Sequence, residues 1–520
     1  MGRAAGDTAS NLSTYLIGSR GSSALRPPPR APRDKENASM TTSPQPSATG
    51  PAGPAPDTPS ATVLAKGVDP YVVDGSQTAE PPTGFLGKLK FLGPGMITSA
   101  AVVGSGELLT ATALGATVGF MLLWLVLVST FLKVWVQIEL ARWSISTGRT
   151  AVDGYDDVPP RLGKRGWISW LQLLMILQFF IGQAGVISAS AFAFSSLLPI
   201  GGEPYSLLSI GVWVALLVVV AIAIHSLNRY AVVERISTVL VLLVTAFAIV
   251  MVFLLQGTEF AWSAGDIAGG MRFQLAAGAI GVAIAMFGMT GVGAGETTAY
   301  TYWVVEKGYA AWTGPNDGSE GWVSRARGWI SVMKVDAWVS WVIYTASTAA
   351  FYVLGAAVLH PQGLVPEGNE VMVTISSIFD SAVGTWGGVL FLIGAGLALF
   401  KTILANVPSL SRISGQTLAV FGAYDWKDQI ARDRWQRVIM IVLPIGWGLL
   451  GTIASSPLLL VIIAGILNAV YLIGAAIATV YLARTQTDPR IRDGRPTEVM
   501  LWISAAAIVA VGVIGLVNAF

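Results

Sequence analysis

From Pro94 onward the chain carries eleven apolar stretches, each close to the roughly 20 residues an α-helix needs to cross the hydrocarbon of a bilayer. They lie at about 94–115, 119–141, 167–197, 206–225, 236–256, 273–305, 329–358, 384–405, 438–455, 457–482 and 498–518. In lipid each backbone N–H and C=O must be satisfied within its own segment, so such runs are read as helices. Hydrophobic residues make up 53% and charged residues 12% of the 520, against roughly a quarter charged in soluble domains. The expectation is an all-α membrane protein with eleven transmembrane helices and the lipid bilayer as its surroundings.

The first 82 residues differ in kind. Pro, Ser, Ala and Thr dominate, in runs such as RPPPRAPR and PSATGPAGPAPDTPSAT, and such a composition buries too little apolar surface to fold alone. Residues 1–82 are therefore expected to form a disordered cytoplasmic tail, and 83–520 the transmembrane domain. LSTYLIG is too short and broken for a signal peptide. Met40, followed by TTSPQPS, is a candidate start.

Lys and Arg accumulate in cytoplasmic loops, which tests the helix map independently. With the amino terminus inside, alternate loops hold Arg142, Arg149, Arg161, Lys164 and Arg165, then Arg229 and Arg235, then Lys307, Arg325 and Arg327. The next two hold a group from Lys401 to Arg437 and a group from Arg484 to Arg495, while the opposite side offers Arg272 alone. The carboxyl terminus then lies outside, and a cell-membrane location is expected. The acidic stretch 360–383, with Glu367, Glu370 and Asp380, falls outside and is expected to hold an amphipathic interfacial helix.

Two motifs repeat within this map. VGSGELLTAT begins at Val103 in the first span and VGAGETTAYT at Val292 in the sixth. An offset of five helices reverses the second copy across the membrane, as expected of two five-helix inverted repeats with broken helices 1 and 6 at a midplane site and an eleventh helix appended. Paired glycines destabilise a helix interior by about 1 kcal/mol each, so Gly104, Ser105, Gly106, Gly293 and Gly295 mark unwound backbone with free carbonyls. An ionised residue at the bilayer centre costs about 2.5 to 3.5 kcal/mol, hence roughly 5 to 7 kcal/mol for Glu107 and Glu296 together. A bound cation or a proton offsets that cost. Two carboxylates with carbonyls make a hard oxygen site, with Glu107 and Glu296 as metal ligands and Thr297 beside them. The blander reading is that both acids favour the positive ends of the half-helices that follow and that the glycines serve close packing.

Other candidates are weaker. Glu139 and Arg142 pair at i,i+3; Lys334 and Asp336 fit snorkelling or gating; Gln172, Gln178 and Gln183 suit helix–helix contacts. Cysteine is absent, excluding disulfides and thiolate sites, and no Walker segment points to ATP. The net charge of +2 gives no sign of a nucleic-acid partner. Neither an enzyme nor a cofactor is indicated.

GPGMITSAAVVGSGELLTATALGATVGFMLLW and, after the second span, ARWSISTGRTAVD resemble the Nramp family of proton-coupled divalent metal transporters over roughly 93–483. The resemblance implies the leucine-transporter type of fold and a divalent metal cation as substrate. The family's helix 1 break reads Asp-Pro-Gly-Asn, with the Asp and Asn as ligands; Gly104, Ser105, Gly106 and Glu107 stand in those places. Its helix 6 Met-Pro-His becomes GMTGVGAGETTAYTYW, with Met289 available only in a shifted register. Acidic residues on the family's helix 3 are missing.

The resulting expectation is a secondary transporter of a divalent cation, hard ions such as Mg or Mn favoured, with protons as a candidate coupling ion. Two alternatives stay open: an amino-acid or other organic-solute symporter of the same superfamily, and a non-transporting receptor or scaffold.

Overall fold

The computed structural model describes residues 64–65, 67–226, 230–275, 277–366, 371–454 and 456–519. Ten helices among them are long and apolar enough to cross a membrane. The first of these, Gly106–Thr147, has 42 residues and at 1.5 Å per residue would measure about 63 Å, twice the hydrocarbon thickness. It is two crossings, parted at Gly119, which takes a left-handed φ of 61°, and the described bundle has eleven.

In chain order the crossings are α1a (Pro94–Val102) and α1b (105–118), α2 (Leu123–Thr147), α3 (Trp167–Leu197), α4 (Leu207–Ser226), α5 (Tyr230–Leu254), α6a (Ile280–Met289) and α6b (Ala294–Lys307). There follow α7 (Glu320–Leu354), α8 (Thr385–Val420), α9 (Gln429–Ile453), α10 (Pro457–Thr485) and α11 (Arg495–Ala519). Helices 1 and 6 are the broken ones, as the motifs predict. The single strand pairing among the described residues is a hairpin in the α2–α3 loop, Arg161–Leu162 against Arg165–Gly166.

Several helices outrun their apolar stretches. α7 starts at Glu320, α8 continues to Val420 and α9 starts at Gln429, because charged side chains at the ends favour helix as well as apolar ones do. This moves Lys401: the charge pattern assigns it to a loop, yet it is fully buried within α8. The α7–α8 connection contains the expected amphipathic helix, Val371–Val383. Its Phe379 stacks on Phe391 at 4.2 Å and on Phe247 at 5.4 Å. Glu367 and Glu370 lie outside the described residues.

Residues 67–82, assigned by composition to the tail, pack on the bundle. The Ala79 N–H donates to the Trp312 carbonyl at 2.9 Å, and the Trp329 indole N–H donates to the Ala79 carbonyl at 2.9 Å. Tyr71 donates to Glu306 at 2.5 Å, and Arg432 pairs with Asp69 at 2.9 Å. The aromatic and charged anchors among the prolines supply the surface that the rest of the tail lacks. The tail boundary drawn at 82 therefore falls too late for these residues.

The core is a helix-on-helix packing in which α3 lies against α8 and α10, α7 against α2, and α6a against α10. The α6a–α10 contact depends on small residues. A Cβ on Gly288 would sit 1.9 Å from the Gly465 carbonyl oxygen, and one on Gly465 2.5 Å from the Ala285 carbonyl oxygen. Backbones this close are the lipid-phase device for tight helix pairs.

Candidate functional site

The two breaks meet. A Cβ on Gly106 would stand 2.5 Å from the Met289 carbonyl oxygen, so α1b begins against the end of α6a. α1a ends at Val102 and the chain turns at Gly104, whose φ of 156° and ψ of −77° suit glycine alone. There is no space for a side chain either, since a Cβ would lie 2.3 Å from the Thr402 hydroxyl. Ser105 opens α1b with a π-helical stretch, Ser105–Ala111, a form that concentrates at functional positions. α6a ends at Met289, Gly291 takes φ 64°, and α6b starts after Gly293.

Each glutamate stands third in the half-helix that follows its break, facing the N–H groups that a helix start leaves unpaired. Glu107 is fully buried. Its carboxylate accepts from the Gly104 N–H at 3.3 Å, from the Thr348 hydroxyl of α7 at 3.1 Å and from the Gly291 N–H of the other break at 3.4 Å. Glu296 repeats the arrangement, accepting the N–H of Gly293.

Lysines meet the opposite ends. The Lys401 ammonium donates to the carbonyls of Ala100, at 2.8 Å, and Val103, at the end of α1a. Lys133 of α2 donates to the carbonyls of Phe287 and Thr290, the latter at 2.7 Å, at the end of α6a. A half-helix end carries roughly half a negative charge, so an ammonium is its natural partner. Every broken end is thus matched by a side chain of opposite sign. Lys133 interacts electrostatically with both glutamates and Lys401 with Glu107, and the formal charge of the four groups is zero.

Of the remaining sequence candidates, Gly293 packs against Asn468 and Glu296, with a Cβ position 2.4 Å from the Asn468 amide nitrogen. Gly295 lies under the Phe179 ring, its Cβ position 1.8 Å from a ring carbon. Thr297 closes the first turn, its N–H donating to the Gly293 carbonyl at 2.8 Å, and its buried hydroxyl has no partner among the described residues. Asn468 of α10 spans the sixth break: its amide donates to the Gly288 carbonyl at 2.9 Å and accepts from the Ala294 N–H at 3.3 Å.

Sequence reasoning missed Lys133, Lys401, Asn468, Thr348 and Thr402. The two lysines did carry a signal, since each is a lone charge in an apolar run, TFLKVWV and LFKTILA, and an intramembrane charge is a functional candidate by default. Of the carbonyls expected to be free, that of Gly104 accepts the Leu108 N–H at 3.1 Å, that of Gly106 the Thr110 hydroxyl at 2.5 Å and that of Gly293 the Thr297 N–H, while the ammonium groups bond the carbonyls of Ala100, Val103, Phe287 and Thr290 on the other side of each break. Met289 contributes its backbone to the meeting of the breaks, as the Gly106 contact shows. Among the described residues no group of three or more His, Cys, Asp or Glu side chains is placed to hold a metal ion. A separate cavity of about 750 Å³, lined by residues including Gly119, Glu259, Asp266, Arg272 and His360, shares none of the groups at the breaks.

Comparison with known proteins gives one consistent picture. A family model described as Nramp, natural resistance-associated macrophage protein-like, matches residues 95–518. The metal transporter Nramp3.2 of Populus trichocarpa is 38% identical over 87 residues, 17% of either chain. The divalent metal cation transporter MntH of Bacillus subtilis is 33% identical over 105 residues, 19% of this chain and 24% of that one. These matches thus span less than a quarter of either relative's length. In structure, a point mutant of a manganese transporter of Eremococcus coleocola shares the fold with a TM-score of 0.60 at 15% identity, covering 85% of this chain and 89% of that one.

Proposed function

The chain belongs to the Nramp family, and from that premise we propose that it is a secondary transporter of a divalent metal cation, working by alternating access about the two broken helices. One observation carries the reading: the Glu107 carboxylate, anchored on the Gly104 N–H of its own break, also accepts from Gly291 of the other. A carboxylate shared by both breaks senses their relative movement, and an ion bound to it is bound to both.

Glu107 and Glu296 are the proposed side-chain ligands, with the Thr348 and Thr297 hydroxyls beside them and the backbone of Gly104, Ser105, Gly106, Gly293 and Gly295 shaping the site. Lys401 and Lys133 hold the carbonyls at the ends of α1a and α6a, so the ligand set shifts toward carboxylates. Such a set favours hard ions such as Mg or Mn. Protons are the proposed coupling ion, with the two glutamates as the groups that exchange them. The cell membrane, with the amino terminus inside, is the proposed setting. Isothermal titration of Mn²⁺ and Mg²⁺ into the wild type and into Glu107→Gln and Glu296→Gln tests the assignment. Affinity lost in the variants supports it, and equal heats in all three proteins end it.

A second reading draws on the lysines. Two ammonium and two carboxylate groups at the four broken ends also suit a zwitterionic solute such as an amino acid, whose charges find a complement of each sign. Competition of amino acids against metal ions in reconstituted vesicles separates the two.

A further inference from the structure

Gly394 is a glycine inside α8 that no neighbour requires. A glycine in a helix interior costs about 1 kcal/mol relative to alanine, and at Gly288 and Gly465 the close approach of two backbones accounts for it. A Cβ on Gly394 would meet nothing within 4 Å. The missing side chain instead leaves a cavity of about 390 Å³ between α1b, α5, α7 and α8, within the roughly 300 to 1,000 Å³ usual for ligand sites. Leu108, Val244, Phe247, Phe351 and Phe391 are among its walls, and every lining side chain is aliphatic or aromatic. Its lip is exposed, with Leu243 at 60%, Leu390 at 57% and Leu397 at 43%. Its floor reaches the first break: Leu108, 1% exposed, follows Glu107, and the Ala398 carbonyl oxygen lies 3.2 Å from the Cβ position of Gly104. Phe247 and Phe391 of the wall both stack on Phe379 of the amphipathic helix.

We infer that this crevice takes one acyl chain of a bilayer lipid, whose end lies against Leu108 beside the first break. On α8 the walls extend from Leu390 to Ala398, roughly 12 Å of helix, inside the membrane span Trp386–Val420, so the medium at the lip is hydrocarbon. Water is excluded as the occupant, because a cavity without polar partners stays dry. An extended peptide is excluded too, since its N–H and C=O groups would find no partner there. A hydrocarbon chain needs none, and it supplies the dispersion contacts that walls facing a void lack. One wall is α1b and another is α8, so an inserted chain sets the spacing between the half-helix that carries Glu107 and its neighbour. The lipid composition of the bilayer thereby acts on the break itself.

The test is photolabelling of purified full-length protein in nanodiscs of phosphatidylcholine that carries a diazirine at the end of one acyl chain, read by peptide mass spectrometry. Residues 106–116 of α1b are all buried, so a carbene on a lipid chain reaches Leu108 only through the crevice. Wild type is expected to be labelled at or beside Leu108 and within 390–398. Gly394→Leu fills the crevice from within, and Leu390→Trp narrows its exposed lip. Each is expected to lose label at Leu108 several-fold while keeping it at Leu449 and Ile453 on the exposed face of α9, and either variant carries the comparison if the other does not fold. A wild type without label at Leu108, or a folded variant that keeps that label at the wild-type level, overturns the inference. The labelling uses no metal, so its failure leaves the metal-transport reading standing.

Discussion

Glu107 and Lys401 are the two signs of one break and interact electrostatically across it. With Glu107→Gln the Gly104, Gly291 and Thr348 donors lose a charged acceptor while Lys401 keeps its charge in a buried place. The expected loss is about 1 to 3 kcal/mol. In the double variant Glu107→Gln/Lys401→Met both charges go together, so its loss should fall short of the summed single losses by about 0.5 to 3 kcal/mol. Thermal melts of the four proteins in detergent check this, and strict additivity contradicts the pairing. The glutamates were legible in the sequence because they sit in a repeated motif. Lys133 and Lys401 carried only the weaker signal of a lone charge in an apolar run, because nothing beside them repeats, and the count of loop charges took Lys401 for a loop residue.

At the scale of elements, two contacts fix how the broken helices stand. Gly288→Ala puts a methyl group 1.9 Å from the Gly465 backbone oxygen, so α6a and α10 must separate. The expected cost is about 1 to 3 kcal/mol, read as a lowered thermal midpoint. Gly281→Ala on the same helix meets nothing within 4 Å and should leave the midpoint unchanged or raise it. Asp336 of α7 fastens the start of α1a, accepting from the Gly93 N–H at 2.9 Å, the Gly95 N–H at 2.5 Å and the Tyr300 hydroxyl of α6b at 2.9 Å. Asp336→Ala frees that end. Cysteines placed at Lys88 or Lys90 should then be labelled several-fold faster by a water-soluble maleimide, and unchanged rates would contradict the latch. The existence and order of the helices followed from apolar length. Their ends did not, because Arg, Lys and Glu extend a helix beyond the membrane without adding to its hydropathy, as at Glu320 and Gln429.

Across the whole molecule, Asp493 ties distant parts of the chain. On the α10–α11 connection it pairs with Arg142 of α2 and with Lys334 of α7, the latter at 2.5 Å. Burial pushes its carboxyl up, but the Arg142 hydrogen bond and charge outweigh that and hold it below the ordinary range. A carboxyl depressed in the folded state stabilises it above the unfolded value of about 3.9 and loses that contribution as pH falls through the folded one. Stability should therefore drop below about pH 4, and Asp493→Asn should flatten that part of the pH profile while lowering stability at neutral pH. An identical acid limb in the variant would remove Asp493 from the account. The central claim, that the meeting of the two breaks is the path of a divalent cation, is tested most directly by uptake into proteoliposomes. Wild type should take up Mn²⁺ or Mg²⁺ saturably, and Glu107→Gln, reconstituted to equal density, should lose most of that uptake. A folded wild type that moves neither ion, or a Glu107→Gln variant that moves them at the wild-type rate, would contradict it.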